Sequence, residues 1–330
     1  MGRRARHDAV VIGGGPAGSA AATTLARAGR SVLLAVDRAA SRSFRIGEGA
    51  PPGFDGAVDD VFGAGTFVAA DHLRSYANRA AWGSGELVET AFLRNAFGAG
   101  WHLDRVAFNT RLLEVAVSAG VDVVDGQPDV DAPLMVDASG RRAVPARRHG
   151  ARLVTRDRLT AVVAVFGQRD GDTDTTTTVE SVESGWWYTS AIPGRRRVVA
   201  FLTDGDLLRP QHRSVDGFVD HVGMTHHISP LVDGRPDHRR VVAAGTAHLD
   251  RAAGDGWIAV GDAAACFDPL SSQGILTAVL MGGAVAEPPE AYAARYETII
   301  GHYLTQQRTT YALEQRWPDA PFWRRRQLSR

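Results

Sequence analysis

The sequence predicts an α/β chain: a Rossmann-like dinucleotide-binding domain with an inserted, mainly antiparallel β-sheet domain and C-terminal helices. Three observations predict it. A short apolar strand runs directly into Gly13-Gly14-Gly15-Pro16-Ala17-Gly18 and a small-residue helix, residues 151–244 switch to period-two alternation, and 257–275 reads as strand, sharp turn, small-residue segment and helix. On this reading 1–60, 100–150 and 245–287 form the discontinuous dinucleotide-binding domain. Residues 61–99 and 151–244 form a substrate domain, and 288–330 a helical C-terminal segment.

In chain order, 9–12 is the first strand, 17–28 the helix that Gly29 stops, and 31–36 the second strand. Gly13 permits the tight turn, Gly15 lets backbone approach a pyrophosphate, and Gly18 lets helix and strand pack closely. Val36 takes the place where an acidic residue usually holds the ribose, so Asp37, one residue later, is assigned that role. Arg45-Ile46-Gly47-Glu48-Gly49-Ala50-Pro51-Pro52 is too rich in glycine and proline for helix or strand, which leaves backbone groups and the Glu48 carboxylate free to meet a ligand. Asp104 caps a helix with Phe108, Leu112 and Ala116 on one face and Gly120 at its end. Arg105, in the first turn, is badly placed for the helix dipole and points to an anion such as a cofactor phosphate. His102 has no second ligand at helical spacing and is read as structural.

Residues 134–136 form a third parallel strand ending in Asp137-Ala138-Ser139-Gly140-Arg141, and the stretch between Gly120 and Leu134 is too short for a β-meander. The antiparallel strands are 161–166, 175–182, 186–192 and 198–202, followed by a short amphipathic helix over 214–222. In the third of these strands Trp186 and Tyr188 share one face and Trp187 takes the other, so Trp187 and Tyr188 are candidates for a wall against a flat substrate. Adjacent His226 and His227 lack metal-ligand spacing, and no metal site is expected. The turn carboxylate Asp262, the loop from Pro269 through Gln273 and the helix opening at Gly274 suit a flavin. Asp262 can accept hydrogen bonds from ribityl hydroxyls, and the helix N-terminus favours the negative charge of a reduced ring. Tyr292, Tyr296, Ile299, Tyr303 and Leu304 recur along a long final helix, and the arginine- and aromatic-rich end is expected to dock or to contact an acidic partner.

Composition narrows the class. The 330 residues are 44% hydrophobic and 22% charged with zero formal net charge, which argues against nucleic acid as a partner. No apolar run approaches the ~18 residues of a membrane span. Every one of the 37 basic residues is arginine, so lysine catalysis is impossible. Cys266 is the single cysteine, which excludes an internal disulfide and fits a reducing, cytoplasmic setting.

The order GGGPAGS, VDASGR and GDAAACFDPLSSQGI resembles flavoproteins of the glutathione-reductase-like group that contains the aromatic hydroxylases. RIGEGAPP, WWYTSAIP and DPLSSQGI together resemble the flavin-dependent tryptophan halogenase superfamily, most closely its non-halogenating branch that oxidises protein tryptophan during maturation of tryptophylquinone enzymes. The resemblance implies FAD held by Gly13, Gly15, Gly18, Arg105, Asp262 and the Pro269–Gly274 loop with Gln273; Asp37 and Gly47 are assigned to the same cofactor site. It also marks departures. Halogenases carry a catalytic lysine, two alternating tryptophans where this chain has Tyr188 and Ser190, a glutamate where it has Ser271, and a Ser-Thr-Gly halide cradle where it has Ser272-Gln273-Gly274.

The expected activity is therefore FAD-dependent monooxygenation of an aromatic ring through a flavin C4a-hydroperoxide, with halogenation disfavoured. The substrate would be an aromatic small molecule or a tryptophan in a peptide or protein client, with Glu48 as acid/base or positioning group and Trp187 and Tyr188 against the ring. With no second glycine fingerprint, NAD(P)H would act indirectly through a separate flavin reductase. A prenyl or alkene reductase and a non-catalytic FAD-binding maturation factor are the alternative readings.

Overall fold

A computed structural model describes residues 7–38, 47–127, 130 and 132–328; Arg45 and Ile46 of the glycine- and proline-rich loop lie outside the described residues. The dinucleotide-binding domain is built on a six-stranded sheet. Its order is Ala253–Gly254, Trp257–Ala259, Leu134–Asp137, Ala9–Ile12, Val32–Val36 and Asp122–Asp125. The central pairings are parallel, and Ile12 lies opposite both Ala35 and Asp137, so the loops that leave these strands gather at one edge. The strand Asp122–Asp125 occupies the short stretch after Gly120 and pairs parallel with Val32–Val36. Sequence periodicity missed it because only Val123 and Val124 are apolar, as an edge strand allows.

Small residues set how closely the helices cover this sheet. The helix Pro16–Arg27 crosses Gly274–Gly283 so tightly that a Cβ on Gly282 would stand 2.4 Å from the Ala17 carbonyl oxygen. A long helix, Pro289–Ala312, covers the next stretch with its tyrosines. The hydroxyls of Tyr292 and Tyr296 donate to the carbonyls of Ala259 and Leu249, both at 2.6 Å, so these large side chains are buried without an orphaned polar tip.

The inserted sheet has seven strands in the order His238–Ala243, Leu159–Gly167, Arg196–Asp204, Gly185–Ile192, Thr177–Val182, Ala77–Ala81 and Val88–Ala91. All neighbours are antiparallel except Thr177–Val182 with Ala77–Ala81. Both faces are covered, which explains the near-continuous apolar runs. Val162, Phe166, Trp187, Val199 and Phe201 pack on the helix Val215–Gly223, while Val163, Trp186, Val198 and Leu202 pack under Tyr311, Phe322 and Trp323 of the C-terminal segment. The arginine-rich end thus docks. Its helix Pro321–Leu328 buries Phe322 and Trp323, and Arg326 donates to Asp204 at 2.8 Å.

Glu314 locks that tail to the sheet. Its buried carboxylate accepts from Gly83 N at 2.8 Å, Ser181 Oγ at 2.6 Å and Arg316 Nη2 at 2.7 Å. These donors outweigh burial and hold its pKa down at about 2, below the usual 4.5. A depressed carboxyl stabilises the folded state above its unfolded pKa and loses that contribution as pH falls through its folded pKa. Glu314→Gln should therefore be less stable than wild type above about pH 4.5, with the gap closing toward pH 2; urea midpoints across this range measure it, and a pH-independent gap would contradict the assignment.

Candidate functional site

The glycine turn divides its labour as the fingerprint demands. Gly13 sits at φ +117°, and a Cβ there would stand 2.2 Å from the Ala138 carbonyl oxygen at the end of the neighbouring strand. A Cβ on Gly18 would stand 1.8 Å from the Gly13 carbonyl oxygen, so only glycine lets the helix approach the turn. A Cβ on Gly15 would meet nothing within 4 Å, and Gly15 has ordinary backbone angles, φ −80° and ψ −175°. Its glycine is therefore not required by the protein's own packing, and it leaves open space at a helix N-terminus that no side chain caps. The Gly274 helix also begins without a side-chain cap. Two uncapped helix starts facing open backbone suit the phosphates and the electron-rich ring of an FAD.

The other predicted cofactor residues converge on the same edge. Arg105, first residue of the helix Arg105–Ser118 that Asp104 caps, donates to the Gly47 carbonyl at 2.6 Å. Asp262 is exposed at the turn, yet desolvation by the surrounding protein holds its carboxyl above the usual range, against the pull of Arg141 and Arg105. Pro269 opens a single 3-10 turn, Ser272 takes a left-handed conformation at φ +51°, and Gln273 precedes the helix. Ser272 Oγ lies 3.9 Å from the Cβ position of Gly49, so the Gly47–Ala50 loop and the Pro269–Gly274 loop face each other. Asp37 is exposed just past the second strand, while the Val36 side chain fills the space beside Gly14.

Glu48 joins this cofactor edge to the inserted sheet. It is 3% exposed; its backbone carbonyl accepts from Leu103 N at 2.9 Å, which holds the loop against the Gly100–His102 strand. Oε1 accepts from Tyr188 Oη and from Ser190 Oγ, the latter at 3.1 Å, and Oε2 accepts from Gly47 N at 3.0 Å. Ser190 and Tyr188 hydroxyls are themselves 2.9 Å apart, as their shared strand face allows. Burial and the Glu48 charge push the Tyr188 phenol well above its ordinary pKa, so it stays protonated and donating. His102 lies nearby: its Nε2 is 2.7 Å from the Thr175 carbonyl, its buried Nδ1 has no hydrogen-bond partner among the described residues, and burial lowers its pKa.

Trp187 requires a correction. Period-two alternation turns it away from Tyr188, and it is fully buried on the other sheet face against Phe201, Phe218 and His221. It is a core residue, not a substrate wall.

Two further positions shape the candidate site and are not singled out by the sequence. Asp268 caps the Pro269 turn through Leu270 N at 2.9 Å and accepts from Tyr311 Oη at 2.7 Å, anchoring the loop to the C-terminal helix. Its placement just before Pro269, the N-cap of a proline-led turn, was the available signal. Arg141 approaches Asp262 and donates to the Gly245 carbonyl; nothing in its local pattern separates it from the other arginines.

The chain resembles known proteins in sequence and in fold. A family model described as "Glucose inhibited division protein A" matches residues 8–51, the glycine turn and second strand. A putative FAD-dependent oxidoreductase, LodB of Marinomonas mediterranea, is 29% identical, with the alignment covering 97% of this chain and 96% of that protein. Among solved structures, the myxobacterial chondrochloren halogenase CndH superposes with a TM-score of 0.84 at 21% identity, over 97% of this chain and 85% of that one. The peptidyl tryptophan dihydroxylase QhpG superposes at 0.78 and 24%, over 98% and 79%.

The two glycines that differ in surroundings give a direct test. Gly18→Ala should destabilise the fold by about 1–3 kcal/mol or more through overpacking, whereas Gly15→Ala should keep wild-type stability and bind FAD more weakly. Thermal unfolding and flavin titration of both variants measure this, and equal FAD affinity in Gly15→Ala and wild type would remove Gly15 from the cofactor site.

Proposed function

The chain has the fold of the halogenase-like FAD-dependent oxidoreductases, and from that premise we propose that it is a monooxygenase that inserts oxygen into an electron-rich aromatic ring, a tryptophan of a peptide or protein client. The observation that carries the reading is the Glu48, Tyr188 and Ser190 cluster. It stands between the cofactor edge and the inserted sheet, where a halogenase needs a lysine and tryptophans, and the chain contains no lysine.

Bound and reduced, FAD supplies the activation of dioxygen, with electrons delivered by a separate flavin reductase that draws on NAD(P)H. Gly13, Gly15 and the Pro16–Arg27 helix start would hold the pyrophosphate, Asp262 the ribityl chain, and the Pro269–Gly274 loop the pyrimidine end. The protein's part in the chemistry is proton handling and exclusion of water. Attack by an aromatic ring on an electrophilic oxygen leaves a ring proton to be removed. Glu48 is the one carboxylate that the cluster presents there, and the Tyr188 hydroxyl hydrogen-bonded to Oε1 fixes its orientation. Ser190 supplies a second donor to the same oxygen, so the carboxylate stays oriented and satisfied while buried.

The reading of LodB as an oxidoreductase and of QhpG as a peptidyl tryptophan dihydroxylase supports an oxidative role on a peptide-bound ring. Supplying reduced FAD and dioxygen to the purified protein with a tryptophan-containing client should add the mass of oxygen to the client. A gain of two hydrogens on an alkene substrate would favour a reductase, and client binding without any mass change would favour a maturation factor. Glu48→Gln should retain FAD and client binding yet lower the rate of oxygen insertion by about 10²-fold or more. Tyr188→Phe should fall in the same direction, and wild-type rates in both variants would contradict the assigned proton role.

A further inference from the structure

An aromatic path leads from the Pro269–Gly274 loop to the protein surface, and nothing in the oxygenation chemistry uses it. Tyr311 is 2% exposed, and its hydroxyl donates to the Asp268 carboxylate at 2.7 Å, one residue from the loop. Trp186 Nε1 donates to the same hydroxyl at 3.1 Å. From Tyr311 the ring of Trp82 is 5.6 Å away and that of Trp323 6.1 Å, Trp82 lies 5.3 Å from Trp323, and Trp323 is stacked 6.1 Å from Trp317. Trp317 is half-buried at the surface with the Arg316 guanidinium 4.2 Å above its ring.

Plain packing does not require this composition. A core at this place needs volume, which leucine or phenylalanine supplies without a polar atom to satisfy, yet the path uses tyrosine and tryptophan, the readily oxidised side chains. The interior polar tips are satisfied: Trp82 Nε1 donates to the Thr310 carbonyl at 2.8 Å and Trp323 Nε1 to the Val182 carbonyl at 2.9 Å. The rings are therefore held in fixed geometry, and the phenol at the inner end has a carboxylate ready for its proton.

We propose that Tyr311, Trp82, Trp323 and Trp317 form a one-electron discharge path that carries stray oxidising equivalents from the cofactor edge to the surface. The inference rests on the reading of that edge as a flavin site. When oxygen consumed without client leaves a one-electron oxidant of the hydroxyl-radical class there, Tyr311 gives it one electron, reducing it to hydroxide, and the phenol proton passes to the Asp268 carboxylate. Trp82 then returns one electron to Tyr311 as Asp268 returns the proton, Trp323 gives one electron to Trp82, and Trp317 gives one to Trp323. At the surface a solvent thiol returns the last electron to Trp317 and is itself oxidised by one electron, releasing its proton. The arrangement spares the residues around Glu48 from oxidation when oxygen is consumed without client.

The test is transient absorption of the FAD-loaded protein after a pulse of blue light, in which the excited oxidised flavin serves as the one-electron oxidant. Wild type should show a long-lived tryptophan radical that added thiol quenches. In Trp323→Phe, which removes the ring that both the Trp82 route and the direct Tyr311 contact must pass, the long-lived signal should be lost, because the inner hole returns to the flavin. Trp317→Phe, which leaves the interior intact, should keep a radical but lose its quenching by thiol. Trp187→Phe, off the path, should behave as wild type. Identical signals in wild type, Trp323→Phe and Trp317→Phe, or a bound flavin that yields no radical, would overturn the path alone. A protein that binds no flavin would overturn the path together with the functional reading.

Discussion

The structure depends on one buried carboxylate. Glu48 sits in the loop at the cofactor edge, yet both hydroxyls that satisfy its Oε1 come from the inserted sheet. A carboxylate this far from water is tolerated only with its acceptor sites filled, and removing a partner leaves an uncompensated polar group that costs about 1–3 kcal/mol, more for a charged one. The two parts of the chain are thus fixed against each other by the group proposed to handle protons. Structural and chemical roles coincide in it, so a change at Glu48 is read safely only where flavin and client binding are measured beside turnover.

A second tie runs through Asp268. Leu270 N, Tyr311 Oη and Gln307 Nε2 donate to its side chain, and Tyr303 Oη accepts from its backbone N–H at 2.7 Å, so the Pro269–Gly274 loop is held from beneath by the long C-terminal helix. Burial raises the Asp268 pKa, with the Leu270 and Tyr311 hydrogen bonds opposing the shift. The C-terminal segment is therefore part of the cofactor edge's foundation as well as a lid on the inserted sheet.

Much of this was legible in the sequence because local chemistry decided it. The glycine turn, the Asp104 cap, the parallel strand ending at Asp137 and the helix opening at Gly274 each follow from steric or hydrogen-bonding needs of residues close in the chain. Alternation also separated Trp186 and Tyr188 from Trp187, but it could not say which face met the cofactor edge. That depends on Glu48, distant in sequence, and on what covers the opposite face, the helix Val215–Gly223. Asp268 was passed over for the same reason: its partners lie dozens of residues downstream, and only folding brings Tyr311 to it. The short edge strand at Asp122 carries too few apolar residues for periodicity to register.

No helix among the described residues is long and apolar enough to cross a membrane, and no group of histidine, cysteine and carboxylate side chains among them could hold a metal ion. The proposed cofactor site is the edge formed by Gly15, Arg105, Asp262 and the Gly274 helix start. Its most direct test is the visible absorption spectrum of the purified protein titrated with FAD, followed through reduction and reoxidation by air. The expected result is a bound flavin whose band shifts and saturates, and whose reoxidation differs from that of free FAD. Absence of bound flavin in either oxidation state would contradict it.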